Sequence, residues 1–216
     1  MHKYLFRSVC FLCLLVASQC GAQKTQKYNL SDLLRDNKLI YGTNQQVNTI
    51  DDAKGPGVTI NGVVLLKDVV FSTGSIDLDI CGKDVFQQSF LGIAFHALDT
   101  ITYDCVYFRP FNFQTTDTLR SKHMVQYISQ PDFPWDTLRK NHPLVYEHPV
   151  IHPPKGADWF HARIVVTKDS CLVYVNYSTA ASLSVKRLNN RRTGSIAIWS
   201  SPLSGDFANL VIKPDQ

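Results

Sequence analysis

Among the 216 residues there is a single glutamate, Glu147, so no pair of catalytic glutamates is available. An excess of one charge is missing too. Twenty-two Lys and Arg against 18 Asp and Glu leave a formal +4. That is no electrostatic footprint for nucleic acid, and Lys186, Arg187, Arg191 and Arg192 read as a solvated turn. Cysteine is scarce. Of the six, Cys10, Cys13 and Cys20 sit near the N-terminus, leaving Cys81, Cys105 and Cys171. Three is an odd number with no metal-ligand spacing, so at most one disulfide forms. All three lie in strand-like runs, where buried thiols are the simplest expectation. There is no internal repeat and no heptad. No helical segment of crossover length separates the strands, which argues against a parallel α/β fold. Beyond the N-terminus, no apolar run is long enough to span a membrane.

What is present begins with a leader. Lys3 and Arg7 precede an apolar run from Val9 to Ala17, too short for a bilayer span, and Gly21-Ala22 before Gln23 matches a signal-peptidase site. Residues 1–22 are therefore expected to be removed and the protein exported, to the periplasm or the extracellular space. Lipoprotein processing at Cys20 is disfavoured by Gln19 before it. Loss of Lys3 and Arg7 with no acid lowers the formal charge to +2. The remaining length suits one domain with a sizeable core.

Short runs of alternating hydrophobicity recur between turn residues, which predicts an all-β fold, a two-sheet antiparallel sandwich with minor helix. Strands are expected near 58–66, 75–81, 89–96, 103–108, 123–128, 160–167, 171–177, 182–186, 194–199 and 207–213. Gly55-Pro56-Gly57, Asn61-Gly62, Lys168-Asp169 and Asn189-Asn190 are read as turns. Two short helices are expected, Leu33–Lys38 behind a Ser31 or Asp32 cap and Trp135–Asn141. Residues 23–57 read as an extension packing on the sandwich, and 58–216 as the sandwich itself.

Alternation also assigns faces. Ile76, Leu78 and Ile80 oppose Asp77 and Asp79; Gly92, Ala94 and His96 share a side. Tyr107 and Arg109 oppose Val106 and Phe108. Phe160, Ala162, Ile164 and Val166 oppose Trp159, His161 and Arg163. Between two strands, residues 129–158 form a long, proline-rich segment carrying Trp135, Tyr146, His148 and His152. Loops of that length in a compact domain are uncommon and usually functional or disordered, and this composition favours packing over disorder.

The motifs FSTGSIDLD at 71–79, GIAFH at 92–96, YFRP at 107–110, VQY at 125–127, DWFH at 158–161 and GDFANL at 205–210 resemble the concanavalin A-like lectin/glucanase superfamily. The resemblance is strongest to the bacterial branch associated with 3-keto-disaccharide hydrolysis and runs from Val58 to Ile212; laminin G-like domains are more distant. It implies a two-sheet jelly roll whose concave face and loops meet carbohydrate. It also implies an exported protein linked to glycan use, as in gut and environmental Bacteroidetes, and a structural calcium at Asp206 beside Gly205, held with backbone carbonyls.

Glycosidases of that superfamily alternate acids along one strand. Asp77 and Asp79 mimic the alternation, with same-face neighbours roughly 6.5 Å apart where retaining hydrolysis needs its carboxyls about 5–5.5 Å apart. A 3-keto sugar permits another route, because the ketone acidifies a neighbouring C–H and elimination replaces direct displacement. That chemistry needs a base, an acid and a cation. His96, His123 or His161 would serve as base and Arg109 as carbonyl polariser. Sugar binding asks for less, an aromatic platform and planar polar groups. Tyr107, Asn112, Gln126, Tyr127 and Trp135 supply those types, whereas Trp159 and Trp199 fit core positions. His148 and His152 lie in a proline-broken loop and do not make a helical metal pair. Three functions stand: a 3-keto-disaccharide hydrolase-like enzyme, a lectin-like binding module, and a laminin G-like protein-interaction domain. The first two take a saccharide ligand, none takes nucleic acid, and the oligomeric state is open.

Overall fold

The computed structural model describes residues 24–52 and 54–215; the leader, its cleavage site and Cys10, Cys13 and Cys20 lie outside them. In chain order come β1 (Gln26–Tyr28), α1 (Leu30–Arg35), β2 (Leu39–Ile40), β3 (Val47–Asp52), β4 (Gly55–Leu66), β5 (Gly74–Cys81), β6 (Ser89–Ala97) and β7 (Tyr103–Phe108). Then follow β8 (Val125–Gln130), α2 (Trp135–Asn141), β9 (Glu147–His148), β10 (Phe160–Val166), β11 (Ser170–Val175), β12 (Leu183–Lys186) and β13 (Ser195–Pro214). Single 3₁₀ turns at Pro110–Asn112 and Arg120–Lys122 join β7 to β8.

All pairings are antiparallel, and two layers share the long strand β13. Its second half pairs with β5, and from there the layer runs β5-β10-β11-β12. Its first half pairs with β6, and the other layer runs β6-β7-β8-β9. A register shift between Ser200 and Gly205, opposite Gly62 of β4, lets one strand serve both. The result is a two-sheet antiparallel β-sandwich of the jelly-roll kind. Gly62 holds φ at +102°, a backbone that other residues rarely adopt. Asn61-Gly62 is therefore a kink inside β4 rather than the expected turn, and Gly55-Pro56-Gly57 opens the same strand. The runs 194–199 and 207–213 are likewise one strand, because the bulge bends the chain without ending it.

Ile76, Leu78 and Ile80 of β5 and Phe160, Ala162 and Ile164 of β10 face Ile93, Phe95, Val106 and Phe108 across the main core. Alternation makes those faces legible, since β10 alternates buried and half-buried along its whole length. β7 does not alternate: all six residues are buried. Its outer face carries a second apolar cluster that includes Tyr103, Cys105, Tyr107 and Ile128, covered by Leu138 of α2. The segment 129–158 thus packs as a lid over one sheet.

The N-terminal segment belongs to the sandwich itself. β1 pairs with β13, and β3 pairs with β4 through six residues. α1 starts three residues earlier than expected because Asn29, not Ser31 or Asp32, is its cap. The Asn29 side chain accepts the amide hydrogens of Ser31 and Asp32. Cys81 is half-buried, Cys105 and Cys171 are buried, and none of the three is in a disulfide.

Candidate functional site

A cavity of about 790 Å³ opens on the outer face of the β6-β7-β8 layer. Its floor is aromatic: Phe90 from β6, Tyr103 and Tyr107 from β7, and Trp199 from β13. Tyr107 packs against Trp199 at 5.2 Å between ring centroids and edge-on to Phe90 at 6.1 Å. One wall is α2, which turns Trp135 and Arg139 into the opening; the other is the β7–β8 connection, which supplies Asn112, Arg120 and His123. Trp135 is 49% exposed, and the Arg139 guanidinium lies 5.1 Å from its ring.

Behind these walls one carboxylate organises the cations. Glu147, 2% exposed, accepts two hydrogen bonds from Arg139, Nε to Oε1 at 2.8 Å and Nη2 to Oε2 at 2.6 Å. His123 Nδ1 lies 2.8 Å from the same Oε2, and Arg109 Nη1 lies 3.5 Å from it. Burial alone would raise the Glu147 pKa, but the Arg139 hydrogen bonds and the surrounding cations hold it below the usual carboxylate range. Burial lowers the His123 pKa more than Glu147 raises it, so its imidazole is neutral at pH 7.

Arg109, 4% exposed, donates from Nη2 to the Tyr107 hydroxyl at 2.7 Å and to Gln126 Oε1. Tyr107 in turn donates to Gln126 Oε1 at 2.7 Å. Gln126 therefore sits one layer behind the cavity and positions its neighbours. Asn112 bridges in the same way, donating to the His123 carbonyl at 2.8 Å and accepting from Arg120 Nε at 3.0 Å.

Asp77, Asp79 and His161 lie on the opposite outer face of the sandwich. They are not solvent-facing strand acids. The His161 ring bridges them, Nδ1 to Asp79 at 3.0 Å and Nε2 to Asp77 at 3.2 Å. Arg163 donates to Asp77 at 2.6 Å, and Asn209 to Asp79 at 2.8 Å. Tyr177 stacks on His161 at 4.3 Å beside a smaller hollow of about 450 Å³. Burial opposes the charged form of each group, but the mutual hydrogen bonds prevail. They lower Asp77 to about 2, lower Asp79 and raise His161. Both carboxylates are thus buried and engaged, a poor arrangement for a nucleophile and acid pair.

His96 is in neither place. A bulge in β6, with φ +49° at His96 and a register shift between Ser195 and Ala197 opposite, turns it away from the side of Ala94. It is fully buried between Phe71 and Phe95. Arg187 donates to its Nδ1 at 2.8 Å, so the proton rests on Nε2, which donates to the Ser72 carbonyl at 2.6 Å. That is a structural histidine, out of reach of substrate. Tyr127 is also corrected: it lies in the main core with its ring near Phe95 and Tyr146. Asp206 stands mid-strand between Thr59 and Cys81, where ladder pairing on both sides engages the backbone. Its carboxylate accepts the Thr59 hydroxyl, so the convergent carbonyls that calcium needs are not offered there. Among the described residues, no group of three or more His, Cys, Asp or Glu is arranged for a metal ion.

Of the residues expected from sequence, Arg109, Tyr107, Asn112, His123 and Trp135 line the cavity, and Gln126 supports them from behind. Trp199, expected in the core, lines it instead. Glu147, Arg139, Arg120 and Phe90 join the site without having been expected there. Trp135 and Arg139 at i, i+4 on an expected helix are a usable sign for one of them. Among the described residues no helix is long and apolar enough to cross a membrane.

No family model matches this sequence, and no curated protein matches it. Solved structures do. A Bacillus subtilis protein of unknown function with a galectin-like fold matches at 9% identity and TM-score 0.56, covering 88% of this chain and 96% of that one. The exoplasmic/lumenal domain of VIP36, in its Ca²⁺/Man3GlcNAc-bound form, matches at 6% identity and TM-score 0.50, covering 88% and 90%. These likenesses establish the fold alone, a galectin-like antiparallel β-sandwich.

Proposed function

We propose that this is an exported saccharide-binding protein whose ligand lies in the cavity over Tyr107 and Trp199. The single observation that carries this is the lining. Aromatic rings form a floor on which the apolar face of a sugar ring stacks, and planar polar groups at the rim read its hydroxyls. The volume falls within the roughly 300–1,000 Å³ usual for small-molecule sites. The VIP36 domain, of the same fold, was solved with Man3GlcNAc, which accords with this function. Among the described residues no carboxylate lines the cavity, which weighs against two-carboxylate glycoside hydrolysis there and favours binding.

The test is the melting temperature of the protein against a saccharide panel that includes 3-keto disaccharides. A ligand of the native state raises it by mass action. A selective rise, lost in Trp199→Ala and Trp135→Ala, supports the site; a flat response across the panel refutes it.

A second function has one specific observation in its favour. His123 is neutral, lines the cavity and has its Nδ1 2.8 Å from Glu147 Oε2. With its proton on Nδ1, Nε2 is a base, and Arg109 and Arg139 would stabilise an enolate, as elimination from a 3-keto glycoside requires. Turnover of a 3-keto disaccharide, abolished in His123→Gln with binding retained, would establish an enzyme. Binding with no turnover leaves a lectin-like module.

A further inference from the structure

The cavity's charge is at odds with the chain around it. Basic and acidic residues nearly balance overall, at 22 and 18. The described lining nevertheless presents three guanidiniums, Arg109, Arg120 and Arg139, and no carboxylate. The acid behind the wall is shared. Arg139 occupies both oxygens of Glu147, and Arg109 approaches the same Oε2 at 3.5 Å. One negative charge thus serves two guanidiniums.

Arg109 is 4% exposed, and its remaining bonds go to the neutral oxygens of Tyr107, Gln126 and His123. A buried cation so weakly compensated is costly unless a counter-charge arrives. Arg120 is compensated less still. Its guanidinium bonds go to Asn112 Oδ1 and the Phe111 carbonyl, both neutral, and its cation lies 4.4 Å from the Phe86 ring centroid. Asp117 in the same turn is engaged by the amides of Leu119 and Arg120 and attracts the Arg120 guanidinium only through space, from an exposed position with no ion-pair contact.

Building on the saccharide function above, we propose that the ligand is an acidic saccharide, its carboxylate or sulfate ester held by Arg120 and Arg109 while a neighbouring ring stacks on the aromatic floor. Both groups present paired oxygens that suit a guanidinium fork. Neutral glycans add no negative charge to that of Glu147, which Arg109 and Arg139 already share.

The experiment is an array of neutral glycans beside their uronate-bearing and sulfated counterparts, probed with the protein, followed by titration calorimetry on the best ligand. The expected result is binding confined to acidic glycans, weakening as salt rises. Uronate and sulfate spots tell the two anion sources apart. Arg120→Gln removes the charge and keeps a polar side chain directed at Asn112. It should lower affinity for the acidic glycan by about tenfold while the unliganded protein still unfolds in one cooperative transition. Equal binding of neutral and acidic glycans, or an Arg120→Gln variant of undiminished affinity, overturns the acidic ligand and leaves the saccharide site standing. No binding anywhere on the array overturns both.

Discussion

Glu147 and Arg139 form a two-pronged ion pair, Nε to Oε1 and Nη2 to Oε2, that ties β9 to α2 across the rim of the cavity. The pair fixes the helix that presents Trp135 and simultaneously restrains His123 and Arg109, so one buried carboxylate sets the shape of the whole wall. Its removal should therefore be felt in both stability and binding.

Glu147→Gln leaves Arg109 without its counter-ion at the sheet surface. The expected loss is about 3 kcal/mol of unfolding free energy, the cost of breaking a buried pair from one side. Urea denaturation checks it through a lowered midpoint at constant slope. A variant as stable as the parent would mean the network contributes nothing net.

The His161 cluster makes stability depend on pH at both ends. His161 has its pKa raised above 6.5, so its contribution is complete below that value and fades as pH rises through the folded pKa. Asp77 is depressed from 3.8 to about 2, so its contribution is present above about 4 and fades as pH falls toward 2. The cluster should stabilise most between roughly pH 4 and 6.5. Unfolding free energies of the parent and His161→Gln should then differ more at pH 5 than at pH 8.5.

Phe160 packs edge-on to both Phe108 and Phe113, at 5.0 and 5.4 Å, where the two sheets meet. Phe160→Ala is expected to cost about 3–5 kcal/mol, because lost burial and an unfilled cavity add. Chemical denaturation measures the difference directly.

Thiol reactivity should divide the cysteines. Burial pushes the Cys105 and Cys171 thiols far up, which removes the reactive thiolate, whereas Cys81 is half-buried with its Sγ 3.3 Å from the Ala157 carbonyl. In the protein prepared without residues 1–22, which carry Cys10, Cys13 and Cys20, a disulfide reagent should modify one thiol in the native state and all three after unfolding. Rapid reaction of a second native thiol would contradict the buried placement of Cys105 and Cys171.

Much of the architecture is legible in the order of residues. Alternation in β10 separates core from outer face correctly, because a sheet with one buried face tolerates no slip of register. It fails where the backbone departs from the regular pleat. The bulge at His96 moves a side chain that period-two counting places beside Ala94, and the kink at Gly62 turns an expected turn into strand interior. Tyr127 and Trp199 exchange their expected roles for a related reason. Either face of β8 and β13 accepts an aromatic, and only the covering of the outer face by α2 decides which one is a cavity floor.

The sequence by itself determined the sandwich, the short helix from Trp135 to Asn141 and the aromatic character of the segment over the sheet, since these follow from local periodicity and composition. Only the tertiary structure decided what Glu147 does. A lone glutamate in a proline-rich stretch carries no pattern that names its partners. Its burial among Arg109, His123 and Arg139 depends on four chain segments meeting at one rim. Electrostatics of that kind arise from proximity in space, which the order of residues along a chain does not encode locally.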